Sequence, residues 1–247
     1  MEWLTELARA EPFLHRSQVL LIVFACLYLK RYNIWDIIID LMVFVNMNVI
    51  SLLFYFIVII PSAIIHEYAH GWMADRLGDP TARYAGRLTI DPRPHIDIWG
   101  TLLMPLVLFF FTGGRFLFAY AKPVPYNPYN LRYHKWGPAL VGVAGPLANF
   151  MLAAVFALLV RILPVSTFSQ LLAIVVQANL VLMVFNLVPI PPLDGSKILY
   201  AFLPESAREV KIFLDRYGVV LLLFFIFFLF NLILPIIDAL FYFLVYS

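Results

Sequence analysis

The feature that most constrains this chain is a series of apolar runs close to the length of a bilayer crossing. A helix rising about 1.5 Å per residue needs about 20 apolar residues to span the hydrocarbon core. Such runs occupy 48–74, 139–160, 169–190 and 218–244, with an interrupted run at 98–121 and a shorter one at 17–29. Composition agrees: 63% of residues are hydrophobic and 13% charged, where a soluble domain carries about 25% charged residues. The expected fold is an all-α polytopic membrane protein. It should have about five to six transmembrane helices and a re-entrant or membrane-associated hairpin element around 98–130. The single cysteine, Cys26, excludes an internal disulfide framework and a multi-cysteine metal site. A formal net charge of +2 leaves no nucleic-acid footprint. No cleavable signal peptide is expected, since 1–16 is of mixed charge and no small-residue cleavage site follows 20–29.

Near the end of the run 48–74 stands His66-Glu67-Tyr68-Ala69-His70. Positions four apart share one face of a helix. Both imidazoles can therefore bind one ion, with Glu67 beside them as a general base. The plainer reading is two histidines in polar packing between spans. Ionisable residues inside a span are costly and usually functional, which favours the metal. A catalytic zinc takes three protein ligands and an open position. His15, His95 and His134 lie outside clear spans, so Asp194 is the better third candidate. It closes a run from Asn186 in which Pro189, Pro191 and Pro192 remove helix donors and break the span. Non-helical backbone at membrane depth is tolerated where it lines a cavity. Read alone, Pro-Pro-Leu-Asp-Gly is an ordinary helix-ending turn. Beside the paired histidines it reads as a ligand.

Together His66 to His70, Gly145-Pro146-Leu147-Ala148-Asn149 and Asn186 to Gly195 resemble the site-2 protease family of intramembrane zinc metalloproteases. The stretch Ala121-Lys122-Pro123-Val124-Pro125-Tyr126-Asn127-Pro128, followed by Asn130-Leu131-Arg132, is similar to the compact bacterial and archaeal branch without PDZ or CBS domains. The resemblance implies one Zn2+ per chain, held by His66, His70 and Asp194, with Glu67 as catalytic acid/base. It implies hydrolysis of peptide bonds in or near transmembrane segments of a membrane-anchored protein or peptide substrate. On this reading 1–47 is an N-terminal extension with one short transmembrane or interfacial helix. Residues 48–203 are the metalloprotease core, and 204–247 a C-terminal loop and transmembrane helix. Asn186 is the expected oxyanion donor and Asn149 a second polar contact to substrate. The alternative for each is an interhelical hydrogen bond. Gly142 and Gly145 read as positions of close helix packing.

The metal reading makes a demand on topology. His66 stands nine residues before Asp75, about 13 Å inside the end of its helix. Asp194 follows the end of 169–190, so both ends must face the same side of the membrane. A full crossing by 98–121 puts them on opposite sides. A re-entrant 98–121, turning at Gly113-Gly114, brings them together. The positive-inside rule separates the two. With a full crossing the 17 Lys and Arg divide seven against ten. With a re-entrant element and a crossing at 17–29, only Lys30, Arg31 and Arg161 of those 17 fall on the far side. The active site is then expected nearer the cytoplasmic face of a multi-pass protein of the cell (plasma or inner) membrane. If 17–29 is interfacial, the division is 12 to five.

The segment Lys122-Pro123-Val124-Pro125 reads as extended backbone. It is either an edge that pairs with an unwound substrate strand or a rigid connector. Two other functions compete. A membrane metal transporter would show paired repeats and polar residues spread along its spans, and neither is seen. A catalytically inactive membrane protein of the same fold would have no reason to keep His66, Glu67, His70 and Asp194 together.

Overall fold

The computed structural model describes residues 54, 57–103, 107 and 121–247. The N-terminal extension, the 17–29 helix and the Gly113-Gly114 turn expected above lie outside them. Among the described residues all regular structure is helical. Three helices among the described residues are long and apolar enough to cross a membrane: Gly137–Ile162, Thr167–Asn186 and Glu205–Leu232. The protein is thus an all-α membrane protein.

Helix α1 covers 57–76 and carries the His66–His70 pair. It ends where Gly78 turns left-handed at φ +105. There the Gly78 N–H bonds to Asp75 O and the Asp79 N–H to Ala74 O. This closing geometry satisfies the last carbonyls and favours glycine. Pro80 then leads into a single turn, α2, Thr81–Tyr84. Asp79 is fully buried and gathers four donors: the Thr81 N–H and hydroxyl, the Asn130 side-chain amide and the Asn127 N–H. With Arg132 N–H on Leu77 O, these bonds fasten 127–132 to the end of α1.

Helix α3, Gly137–Ile162, and helix α4, Thr167–Asn186, form an antiparallel hairpin. Ser166 and Ser169 close a reciprocal cap at the start of α4, which satisfies donors the helix itself cannot. The buried face of α3 is built from small residues: Gly142, Gly145, Asn149, Ala153 and Ala157 recur at three- and four-residue spacing. That stripe lets helix backbones approach closely. After α4 the prolines reverse the chain, and Asp194 stands at the N-cap of α5, Gly195–Phe202. A side chain at Gly195 would collide with the carbonyls of Leu187 and Val188. The return loop therefore closes only over glycine, and this places Asp194.

Helix α6, Arg208–Phe224, continues through a wide turn, Phe225–Leu229, and a tight one, Phe230–Leu232. Helix α7, Leu234–Tyr246, then packs across α3 and α4. This differs from the single span expected at 218–244. The helix begins earlier, at Arg208, and the run is broken near Pro235, which has no N–H to donate. Arg161 of α3 donates to the Phe243 and Leu244 carbonyls at the end of α7. The apolar core lies between α3, α4, α6 and α7, with Ala153, Val176, Leu180, Phe225 and Ile237 at its centre.

Candidate metal centre

The helical spacing of His66 and His70 sets both rings on one face of α1, with centroids 4.6 Å apart and planes nearly perpendicular. Their Nε2 atoms meet a third residue far away in sequence. Asp194 Oδ2 lies 3.0 Å from His66 Nε2 and 3.0 Å from His70 Nε2. All three side chains are buried.

The outward ring nitrogens decide what those inward atoms are. His70 Nδ1 lies 2.6 Å from the Val141 carbonyl. A carbonyl only accepts, so Nδ1 carries the proton. The Asn149 amide nitrogen faces the Ser62 carbonyl and Asn179 Oδ1, so its oxygen must face His66 Nδ1, at 2.6 Å. That nitrogen is therefore protonated too. In the neutral rings both Nε2 atoms carry lone pairs, and they point at a carboxylate oxygen. Three acceptors converging in a buried place need a cation between them. Two extra protons would leave two imidazolium ions in a buried space beside one carboxylate, which is the more costly solution. One metal ion between them would resolve the contact.

The dimensions suit such an ion. Ligand bonds of about 2.0–2.1 Å in a tetrahedral site put neighbouring donors about 3.3 Å apart, slightly more than the 3.0 Å seen here. His66, Glu67 and His70 also form a group whose ligand atoms lie within 4.8 Å of one another. Space is provided by Gly145 on α3. A Cβ there would lie 2.5 Å from the Nε2 atoms of both histidines, on the face where the ion would sit.

Around these donors the polar side chains of α1, α3 and α4 are hydrogen-bonded to one another. Asn179 Nδ2 donates to Ser62 Oγ and to Val175 O. Ser62, Asn149 and Asn179 thus tie α1, α3 and α4 into one network that orients His66. Asn149 is fully buried within it. Glu67 Oε2 accepts the Val124 N–H at 2.8 Å. The Val124 side chain rests against Gly71, where a Cβ would come within 2.9 Å of it. Arg87 holds the same segment by donating to the Lys122 and Pro123 carbonyls. The Lys122 N–H goes to His95 O, and Pro123 and Pro125 have no N–H. The backbone donors of 122–125 are thus all engaged within the fold, and the segment holds Glu67 in place. Asn186 turns back on its own helix, donating to Leu182 O.

A family model described as Peptidase family M50 matches residues 161–232, which hold Asn186, the proline loop and Asp194. A relative from Bacillus subtilis (strain 168), named "Putative zinc metalloprotease YwhC", is 36% identical over 185 residues, covering 70% of this chain and 80% of that protein. The chain belongs to peptidase family M50. Other relatives match less fully. Rip2 of Mycobacterium tuberculosis (strain ATCC 25618 / H37Rv), also named a "Putative zinc metalloprotease", is 33% identical over 60% of this chain and 57% of its own length. "Zinc metalloprotease MJ0392" of Methanocaldococcus jannaschii is 27% identical over 63% of this chain and 36% of its own length. The chain thus spans little more than half of Rip2. No solved structure matches it.

Several residues of this M50 centre escaped the sequence reading. Ser62 and Asn179 are polar residues inside apolar runs, which is a detectable signal, but their partners are not. Gly145 was read as packing alone, whereas it lies against the two Nε2 atoms. Lys197, counted only as a charge, reaches Asp194 Oδ1 at 2.8 Å.

Proposed function

We propose that this M50 peptidase is a zinc metalloendopeptidase that hydrolyses peptide bonds in or near the transmembrane segments of membrane-anchored proteins. The observation that carries this reading is the convergence of two helix-borne imidazoles and one distant carboxylate on a common point, with Glu67 beside it. His66, His70 and Asp194 are the proposed ligands. Zinc bound there supplies Lewis acidity and brings the pKa of water towards 7.

This chain's own residues do the rest. Glu67 takes the proton of the attacking water on its carboxylate and returns it to the departing amine nitrogen. The Val124 N–H holds that carboxylate in place. Asn149, committed to His66, acts by orienting the ligand. Asn186 is the proposed donor to the oxygen of the tetrahedral intermediate, and its amide must turn from Leu182 O to serve. The burial of the donors keeps bulk water from the reacting groups. The charge division along the sequence supports a centre nearer the cytoplasmic face of the cell membrane. The family resemblance supports membrane-anchored regulators or leftover signal peptides as substrates.

Metal analysis and a cleavage assay with a membrane substrate test the proposal. Glu67→Gln should keep about one zinc per chain, while cleavage falls by at least about 100-fold. Cleavage that survives in Glu67→Gln sinks the proposed mechanism. Zinc flux across vesicles that depends on the ligands and not on Glu67 would point instead to a transporter.

A further inference from the structure

The carboxylate of Asp194 is divided between two faces. Oδ2 looks at both histidine Nε2 atoms. Oδ1 looks the other way and accepts a hydrogen bond from Lys197 Nζ at 2.8 Å. The lysine is held from several sides. It stands one turn beyond Asp194 on α5, and its own N–H bonds to Asp194 O at 3.0 Å. Its stem lies against α3 at Gly142, where a Cβ would come within 3.2 Å of Lys197 Cβ and Cδ. Its ammonium sits 5.5 Å over the Tyr126 ring. Among the described residues it is the only Lys or Arg paired with a carboxylate of the centre.

The sequence placed no role on this residue, yet the geometry gives it one. A carboxylate can ligate an ion through one oxygen or two, and zinc accepts expansion from four to five ligands. Nothing in the ion forbids Asp194 from swinging Oδ1 inwards. Lys197 does, because that swing would strip a mostly buried ammonium of its carboxylate partner. We propose that Lys197 is a positioning residue that confines Asp194 to one-oxygen ligation, so that the remaining position on the ion stays open to water and substrate. This rests on the zinc reading above. The plainer role, an ion pair that merely anchors the start of α5, makes different predictions.

The test uses the full-length protein with Co2+ in place of zinc, because the visible spectrum of cobalt reports coordination number independently of turnover. Wild type, Lys197→Met, Lys197→Gln and Lys197→Arg are compared. The wild type should show four-coordinate bands. In Lys197→Met and Lys197→Gln the absorption per bound cobalt should fall by about half as a fifth ligand joins. Their kcat should drop about 10–100-fold with KM unchanged. Lys197→Arg should restore both readouts. A per-cobalt spectrum identical to wild type in the folded neutral variants overturns the proposal, whatever their activity. A wild type that takes up neither cobalt nor zinc would instead sink the metal reading itself.

Discussion

Around Asn149 and Asn179 the hairpin of α3 and α4 is polar, and each donor has one named acceptor. One or two turns along the same two helices, at Ala153, Ala157, Val176 and Leu172, it is apolar and closely packed. The two regions share a backbone and differ in what specifies them. In the apolar half, volume and shape decide, and many side chains can supply them. In the polar half, a single carbonyl oxygen fixes the orientation of an amide. That amide fixes a tautomer, and the tautomer fixes where a lone pair points. A one-atom error is absorbed by the first region and passed on by the second.

The largest expected effect follows from adding an atom to the polar region. Gly145→Ala would put a methyl group 2.5 Å from the Nε2 atoms of both His66 and His70. The rings or α3 must then move, and the donors no longer converge. Zinc uptake, measured on purified folded protein, should fall by at least about 100-fold. Full zinc content in Gly145→Ala would show that the ion does not sit where the three donors meet.

Removing an atom group from each region makes the next contrast. Asn149→Ala takes away the acceptor on His66 Nδ1, frees the ring to turn and leaves Asn179 Oδ1 without its donor. Metal affinity, followed by competition with a chelator, should weaken about 10–100-fold. Ile237→Val, in the fully buried apolar region, should cost about 1 kcal/mol of unfolding stability and leave metal affinity unchanged. The comparison breaks if the two variants change affinity alike.

The same contrast explains what could be read from the sequence. Spans α3 and α4 stood out to within a few residues, because bilayer length and hydropathy are properties of the local chain. His66 and His70 stood out because their partnership is set by helical period. Asp194 was legible as a proline-framed break in a span. The partners of the second ring nitrogens were not. Asn149 stands 83 positions from His66, and Val141 stands 71 from His70. Nothing local marks Val141 as an acceptor or Gly145 as clearance, since both functions exist only once α3 lies against α1. The break before α7 was missed for a similar reason. Hydropathy runs unbroken through Leu232 to Leu234, and only Pro235 hints at it.

A third cluster, outside the spanning helices, sharpens the comparison with the smallest effect. Asp79 is as buried as Asn149, but it is ionised and belongs to the loops that fasten 127–132 to α1. Burial alone would push its carboxyl pKa up. The hydrogen bonds from Thr81, Asn130 and the Asn127 backbone outweigh burial and hold it below the ordinary carboxylate range. The sign follows from linkage. A carboxyl depressed in the native state adds stability that is fully present above its unfolded value of about 3.9. That stability is lost as pH falls through the lower native value. Thermal unfolding in detergent should therefore weaken more steeply below about pH 4 in wild type than in Asp79→Asn, which is less stable at neutral pH and has no proton to gain. The loss should be local first, with faster hydrogen exchange at the Asn127 and Arg132 amides than at Asn149 or Asn179. Parallel acid profiles for the two proteins would mean that Asp79 carries no charge-dependent load, and that its four donors act by shape alone, as the apolar core does.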